Sequence, residues 1–171
     1  MGDKMDIKLA KEEQIEVIMQ IIEDGRKALK ELGLYQWQEE YPAPSDILND
    51  IALQQSYVLM DGDQIVGTTA LDPKGEEVYD SLVDGEWSLD APYLTVHRMA
   101  ISSSNAKKGN GTSFLQAIEE IAAKQNIPQI RLDTHEDNVV MKRVAEKAGY
   151  RYCGKVTYGV GFDCVAFEKI L

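Results

Sequence analysis

No stretch of the 171-residue chain approaches the roughly 18 consecutive apolar residues that a membrane helix needs. The first ten residues carry Asp3, Lys4, Asp6 and Lys8 where a secretory leader would place its apolar stretch. Neither a membrane protein nor a secreted one is expected, and the anticipated location is the cytoplasm. Asp6 stands where an N-myristoylation signal at Gly2 would need Ser or Thr, so no lipid anchor is expected. Cysteine is scarce: Cys153 and Cys164 have no metal-ligand spacing with the two histidines, and both are read as buried, structural thiols, with no metal assigned. Positive charge is also in deficit, with 18 Lys and Arg against 29 Asp and Glu for a net charge of −11. Phosphate backbones require a basic face, so nucleic acid is not an expected partner.

What is present is unevenly distributed. Between Tyr93 and Lys155 ten basic residues face six acidic ones, whereas the remainder holds eight against twenty-three. In one domain this would give a region suited to a small anion and another suited to a cation, although a generic acidic surface would look the same by charge alone. Hydrophobic periodicity predicts a helix over residues 11–33, ending at Gly33, and a short helix capped by Ser45 and running to Gln54. Strands over residues 57–60 and 65–71 flank Asp61-Gly62-Asp63-Gln64, a hairpin signal. Residues 72–92 form a long polar connection of the kind that serves as a flap. A strand at 93–102, a helix at 112–125, a strand at 129–134, a helix at 138–148 and strands at 150–158 and 162–171 follow. The order β, α, α, β, β, β, α, β, α, β, β describes a single α/β domain over residues 1–171.

Lys107-Lys108-Gly109-Asn110-Gly111-Thr112 joins a predicted strand to a predicted helix. Two glycines can turn successive N–H groups inward, and the helix behind them adds about half a positive charge, so main chain can hold a pyrophosphate. An Asn110-Gly111 β-turn is the plain alternative, but the residues that follow have period 3.6 and not 2. The loop matches neither G-x-x-x-x-G-K-S/T nor a complete G-x-G-x-x-G.

The loop and its surroundings form a larger pattern. A strand ends Met99-Ala100-Ile101, the glycine turn and an amphipathic helix follow, then come a strand, Asp137-Asn138, and a helix ending Glu146-Lys147-Ala148-Gly149-Tyr150. This resembles the GNAT superfamily of acyl-CoA-dependent N-acetyltransferases over residues 93–155, and the elements before it fit the family's N-terminal half. His97-Arg98 and Gln36-Trp37-Gln38 are similar to a bacterial subgroup of that family. The resemblance implies a mixed, mostly antiparallel central sheet flanked by helices. It also implies acetyl-CoA as acetyl donor, a primary amine as acceptor, and the homodimer that many relatives form, here through a sheet edge at residues 162–171. Met99, Ala100, Ile101, Lys107, Lys108, Gly109, Asn110, Gly111, Thr112, Asn138 and Lys147 would then bind the donor, Asn138 serving the pantetheine arm and also capping its helix. Two positions depart from the family pattern: Ala106 stands at the R/Q position of the phosphate loop, and Ala145 where many members carry a tyrosine that protonates the thiolate.

Transfer to an amine needs a neutral amine, a polarised thioester carbonyl and a tolerable thiolate. Strand alternation places residues 93, 95, 97, 99 and 101 on one face, which brings His97 close to Met99 and makes it the first candidate base. Glu136 and His135 are the alternatives, and a core histidine bonded to a backbone carbonyl is the competing reading of His97. Tyr150, Tyr152 or Tyr158 is available to replace the missing acid, with Tyr150 in the family's Gly-aromatic position. Trp37, Tyr41, Trp87 and His135 are candidate acceptor contacts, because aromatic faces among acidic residues suit a cationic amine. The two Ala departures also fit a domain that holds acyl-CoA without turnover, in a sensing or regulatory role.

Overall fold

A computed structural model describes residues 5–37, 40–103, 109–159 and 163–171. The chain runs β1 (Asp6–Leu9), α1 (Ile15–Glu31), α2 (Pro44–Ala52), β2 (Ser56–Asp61), β3 (Gln64–Asp72), β4 (Leu94–Ile101), α3 (Asn110–Lys124), β5 (Gln129–His135), α4 (Val139–Lys147), β6 (Arg151–Thr157) and β7 (Asp163–Ile170). The order is the one the sequence predicts. Boundaries move for identifiable reasons. The first helix starts four residues late, after a 3-10 turn at Glu12–Gln14 in which the Lys11 N–H donates to the Gln14 side chain. The second begins at Pro44, whose missing N–H costs nothing in a first turn, while the Asp46 carboxylate accepts from the Ala43 N–H; Ser45 is not the cap.

The strands form a seven-stranded sheet in the order β1-β2-β3-β4-β5-β7-β6, antiparallel except for the β4–β5 pair. Residues 162–171 were expected at a sheet edge, but β7 is flanked by β5 and β6, which leaves β1 and β6 at the edges. The dimer expectation loses that support. α3 buries Phe114, Leu115, Ile118 and Ala122 against Leu59, Val66, Leu94, Val96, Ile130 and Leu132 on one face of the sheet. On the other face, Ile18, Ile21 and Ile22 of α1 and Ile47 of α2 pack with Val58 and Ala100. Among the described residues no helix is long and apolar enough to cross a membrane.

The segment between β3 and β4 is packed and not a free flap. Its own Tyr79 is 1% exposed, packed against Val156, Cys164 and Ala166. The Ser88 N–H donates to the buried Glu168 carboxylate, and Gln129 and Arg131 donate to the Leu89 carbonyl. Both thiols are buried, as expected.

Candidate active site

Among the described residues the parallel strands β4 and β5 are paired at two places, Leu94 with Ile130 and Thr95 with Arg131. Beyond them the strands part, although β4 continues to Ile101 and β5 to His135. A cavity of about 960 Å³ occupies the opening, lined by Val96–Ile101 on one side and Leu132, Asp133 and Thr134 on the other. The β5-facing main chain of β4 has no ladder partner there among the described residues, so its N–H groups are available to a bound molecule.

A bulge in β4 sets the side-chain directions. Thr68 pairs with Ala100 and Ala70 with His97, so Thr69 faces two residues, and Arg98 takes a left-handed φ of 50°. The Thr69 hydroxyl donates to the His97 carbonyl at 2.9 Å beside it. One extra residue inverts the alternation. Leu94 and Val96 therefore share a core with Met99 and Ile101, and the expectation that residues 93, 95, 97, 99 and 101 lie on one face is corrected. His97 instead points with Tyr93 toward the β3–β4 connection, where its Nε2 lies 3.5 Å from Glu76 Oε2 and both side chains are about a quarter exposed. Tyr93 fixes that partner: its hydroxyl accepts from the Glu76 N–H at 2.9 Å and donates to the Glu76 carbonyl.

The end of the cavity around His97 is acidic. Asp72, Glu76 and Asp133 line it together with Trp37 and Tyr41. Asp133 accepts hydrogen bonds from the Tyr79 hydroxyl at 2.6 Å and the Tyr158 hydroxyl at 2.9 Å. Burial and then the adjacent Asp133 charge raise both phenols well above the usual tyrosine range, so both remain protonated donors. The cavity also reaches Asp24, which accepts from the Ser103 N–H at 3.0 Å beyond Ile101. Met99, Ile101, Gly111, Asn138, Met141 and Val144 line its other end, where α3 and α4 meet the sheet. Gly109 begins α3 at φ 95°, a left-handed angle natural only to glycine, and a Cβ there would touch nothing within 4 Å among the described residues. At Gly111 a Cβ would lie 3.1 Å from Val144, so this glycine also serves α3–α4 packing. Residues 110 and 111 are helical, which rules out the β-turn reading.

A family model for GNAT acetyltransferases matches residues 16–150. The chain belongs to the GNAT acetyltransferase family. A GNAT-family acetyltransferase from Streptococcus agalactiae superposes over 100% of this chain and 98% of its own with a TM-score of 0.89 and 36% identity. The fold is shared at lower identity by AAC(6')-Ib in complex with ribostamycin and coenzyme A (20% identity, 98% and 94% coverage, TM-score 0.71). It is shared also by an agmatine N-acetyltransferase (14% identity, 99% and 100% coverage, TM-score 0.69). No curated protein matches the sequence.

Within this GNAT chain the residues singled out from sequence divide. His97, Met99, Ala100, Ile101, Gly111, Asn138, Trp37 and Tyr41 all line the cavity. Asn138 caps α4, its side-chain oxygen accepting from the Met141 N–H at 3.1 Å. Gly109, Asn110 and Thr112 occupy the first turn of α3 or its cap. Ala106, Lys107 and Lys108 lie outside the described residues.

Others are elsewhere. Tyr150 is 5% exposed in the α3-side core, its hydroxyl has no partner among the described residues, and burial raises it far above the usual range; the expectation that it protonates a thiolate is corrected. Trp87 donates to the Tyr79 carbonyl and lies 4.1 Å from the Arg131 guanidinium, so it packs the β3–β4 connection and does not reach the cavity. Glu136 faces a separate shallow depression and pairs with Lys155 at 3.8 Å. His135 accepts from the Asp137 N–H through Nδ1 and does not line the cavity; Lys147 is exposed in the last turn of α4. Sequence reasoning missed Glu76, Asp72 and the tethers of Asp133. The signal for Asp72 and Glu76 was the excess of acid outside residues 93–155, which has no address until β3 and β4 pair; the Asp133 tethers from Tyr79 and Tyr158 leave no sequence signal.

Proposed function

We propose that this protein moves an acetyl group from acetyl-CoA to a primary amine of a small molecule or a protein. The observation that carries the reading is the cavity between the parted strands, acidic and aromatic at one end and walled by α3 and α4 at the other. Carboxylates and ring faces attract an ammonium and tolerate the amine it becomes. In the reading, the first turn of α3 with Gly109, Asn110, Gly111 and Thr112 holds the pyrophosphate, with Lys107, Lys108 and Lys147 supplying positive charge and Asn138 meeting the pantetheine arm.

An alkylammonium has a reference pKa near 10.4 and must lose a proton before it can attack. His97 takes that proton, directly or through water, and Glu76 stabilises the imidazolium that results. The amine nitrogen then bonds to the carbonyl carbon, whose oxygen is polarised by the main-chain N–H groups of Met99–Ile101. The carbon–sulfur bond breaks, and the departing thiolate, with a reference pKa near 8.5, needs no side-chain acid; it takes its proton from solvent. The test is thiol release from acetyl-CoA in the presence of an amine panel, with mass detection of the acetylated product. Release with at least one amine supports transfer. Tight coenzyme A binding with no release across small amines and exposed protein amines replaces it with a domain that holds acyl-CoA without turnover.

A further inference from the structure

Arg98 stands where two walls of the acceptor end meet. Its guanidinium donates from Nε and Nη2 to both oxygens of Asp50, at 2.9 and 2.7 Å, and from Nη1 to the Tyr41 hydroxyl at 2.9 Å. Asp50, on α2, is 2% exposed, whereas Tyr41 is 42% exposed in the loop that joins α1 to α2. A second arginine holds the same loop from α1: Arg26 donates to the carbonyls of Trp37 and Pro42, each at 3.1 Å. The loop that carries Trp37 and Tyr41 is thus fastened by arginines from two different elements.

Stability alone is a poor account of this arrangement. A buried ion pair contributes little net stability compared with an apolar pair of similar volume. Arg98 also occupies a left-handed φ of 50°, which disfavours any residue that carries a Cβ. Its third contact goes to a half-exposed loop residue and not into the core. A planar fork can bind a carboxylate with one edge and keep a third N–H for a hydroxyl; a lysine ammonium cannot keep that geometry.

We propose that Arg98 is a positioning residue for the acceptor: seated on Asp50, it holds Tyr41 and so fixes the wall made by Trp37 and Tyr41 relative to the β4 bulge beside His97. The inference rests on the acetyl-acceptor reading of that end of the cavity. Cutting the tether widens the acceptor end and leaves the donor end, which α3 and α4 build, as it was.

The experiment uses the full chain labelled with 3-fluorotyrosine, with the Tyr41 resonance assigned by its loss in Tyr41→Phe. In Arg98→Lys the Tyr41 resonance moves toward that of free 3-fluorotyrosine while the other tyrosines hold their positions. Kinetics with acetyl-CoA and propane-1,3-diamine as probe then show KM for the diamine raised about threefold to tenfold in Arg98→Lys and in Tyr41→Phe, the worth of one hydrogen bond, with KM for acetyl-CoA unchanged within twofold. A folded Arg98→Lys protein whose Tyr41 resonance stays in place overturns the proposal, as does an unchanged diamine KM in both variants. Where Arg98→Lys does not fold, Arg98→Gln is read in the same way. If the wild-type protein releases no thiol with the diamine, the acceptor reading fails for that amine and the fluorine result alone decides the positioning claim.

Discussion

Glu76→Gln removes one charge from the acceptor end and changes almost no volume. In the proposed transfer a proton passes from the amine to His97, and a positive charge forms 3.5 Å from the Glu76 oxygen. Coulomb's law gives about 1 kcal/mol for that contact in water and about 5 kcal/mol at an effective dielectric of 20. Both side chains are about a quarter exposed, so the weaker figure governs. At 1.4 kcal/mol per factor of ten, kcat falls by about fivefold. KM for acetyl-CoA stays as it was, because Glu76 lies at the opposite end from the α3 turn. His97→Gln removes the proposed proton acceptor itself, and kcat is expected to fall by about 100-fold or more. The assay is steady-state thiol release, with thermal melting of each variant to show that the fold survives. A folded Glu76→Gln protein with wild-type kcat at saturating amine refutes the argument that this carboxylate supports proton transfer.

Further outcomes follow from other parts of the molecule. Gly109→Val strains the left-handed turn and crowds the proposed anion site, where an added Cβ meets no described residue within 4 Å, so calorimetry should show coenzyme A affinity reduced by about tenfold or more; Gly111→Val is a poorer probe, since it also pushes Val144. A Cβ at Gly85 would fall 1.8 Å from the Cys153 carbonyl oxygen, next to the bridge between Val83 and Lys155, so Gly85→Ala should cost about 2 kcal/mol or more and lower Tm by roughly 4–8 °C. Burial acts to raise the Glu168 carboxyl, but the Ser88 hydroxyl and N–H and the Arg151 guanidinium outweigh it and leave the group below its reference of 4.5. A depressed carboxylate stabilises the fold above the unfolded value and loses that contribution as pH falls through the folded one, so acidification below about 4.5 should lower Tm more in the wild type than in Glu168→Gln. Burial pushes the Cys153 thiol up to about 12 and raises Cys164 as well, so a disulfide reagent at pH 8 should find neither thiol reactive until the protein unfolds.

Much of the architecture was legible because it rests on local periodicity. Phe114, Leu115, Ile118 and Ile121 mark α3 and its buried face without knowledge of their partners. Gly33 and Gly149 mark helix ends, and both take the left-handed angles expected of them, with φ of 76° and 89°. The donor end was similarly local: the strand, the glycine turn and the α4 cap at Asn138 are short-range features. The acceptor end was not. Strand alternation wrongly puts Met99 and Ile101 on the His97 face, because a single arginine at positive φ just after His97 inverts the parity, and nothing in the residue type announces it. Glu76 and His97 meet only after β3 and β4 pair, and Asp50 and Arg98 are 48 residues apart. Tyr150 misled for a related reason: its place after Gly149 is recognisable, but the direction of its ring is set by the α3-side core.

In the proposed reaction the opening between β4 and β5 receives an acyl donor at one end and an amine at the other. A crystal structure of the acetyl-CoA complex tests it most directly. The pyrophosphate should lie at the first turn of α3 around Gly109–Gly111 and the thioester carbonyl within hydrogen-bond reach of the Met99–Ile101 main chain, with its carbon facing His97 and Glu76. Acetyl-CoA bound outside the opening, or with its acetyl group directed away from His97, would contradict it.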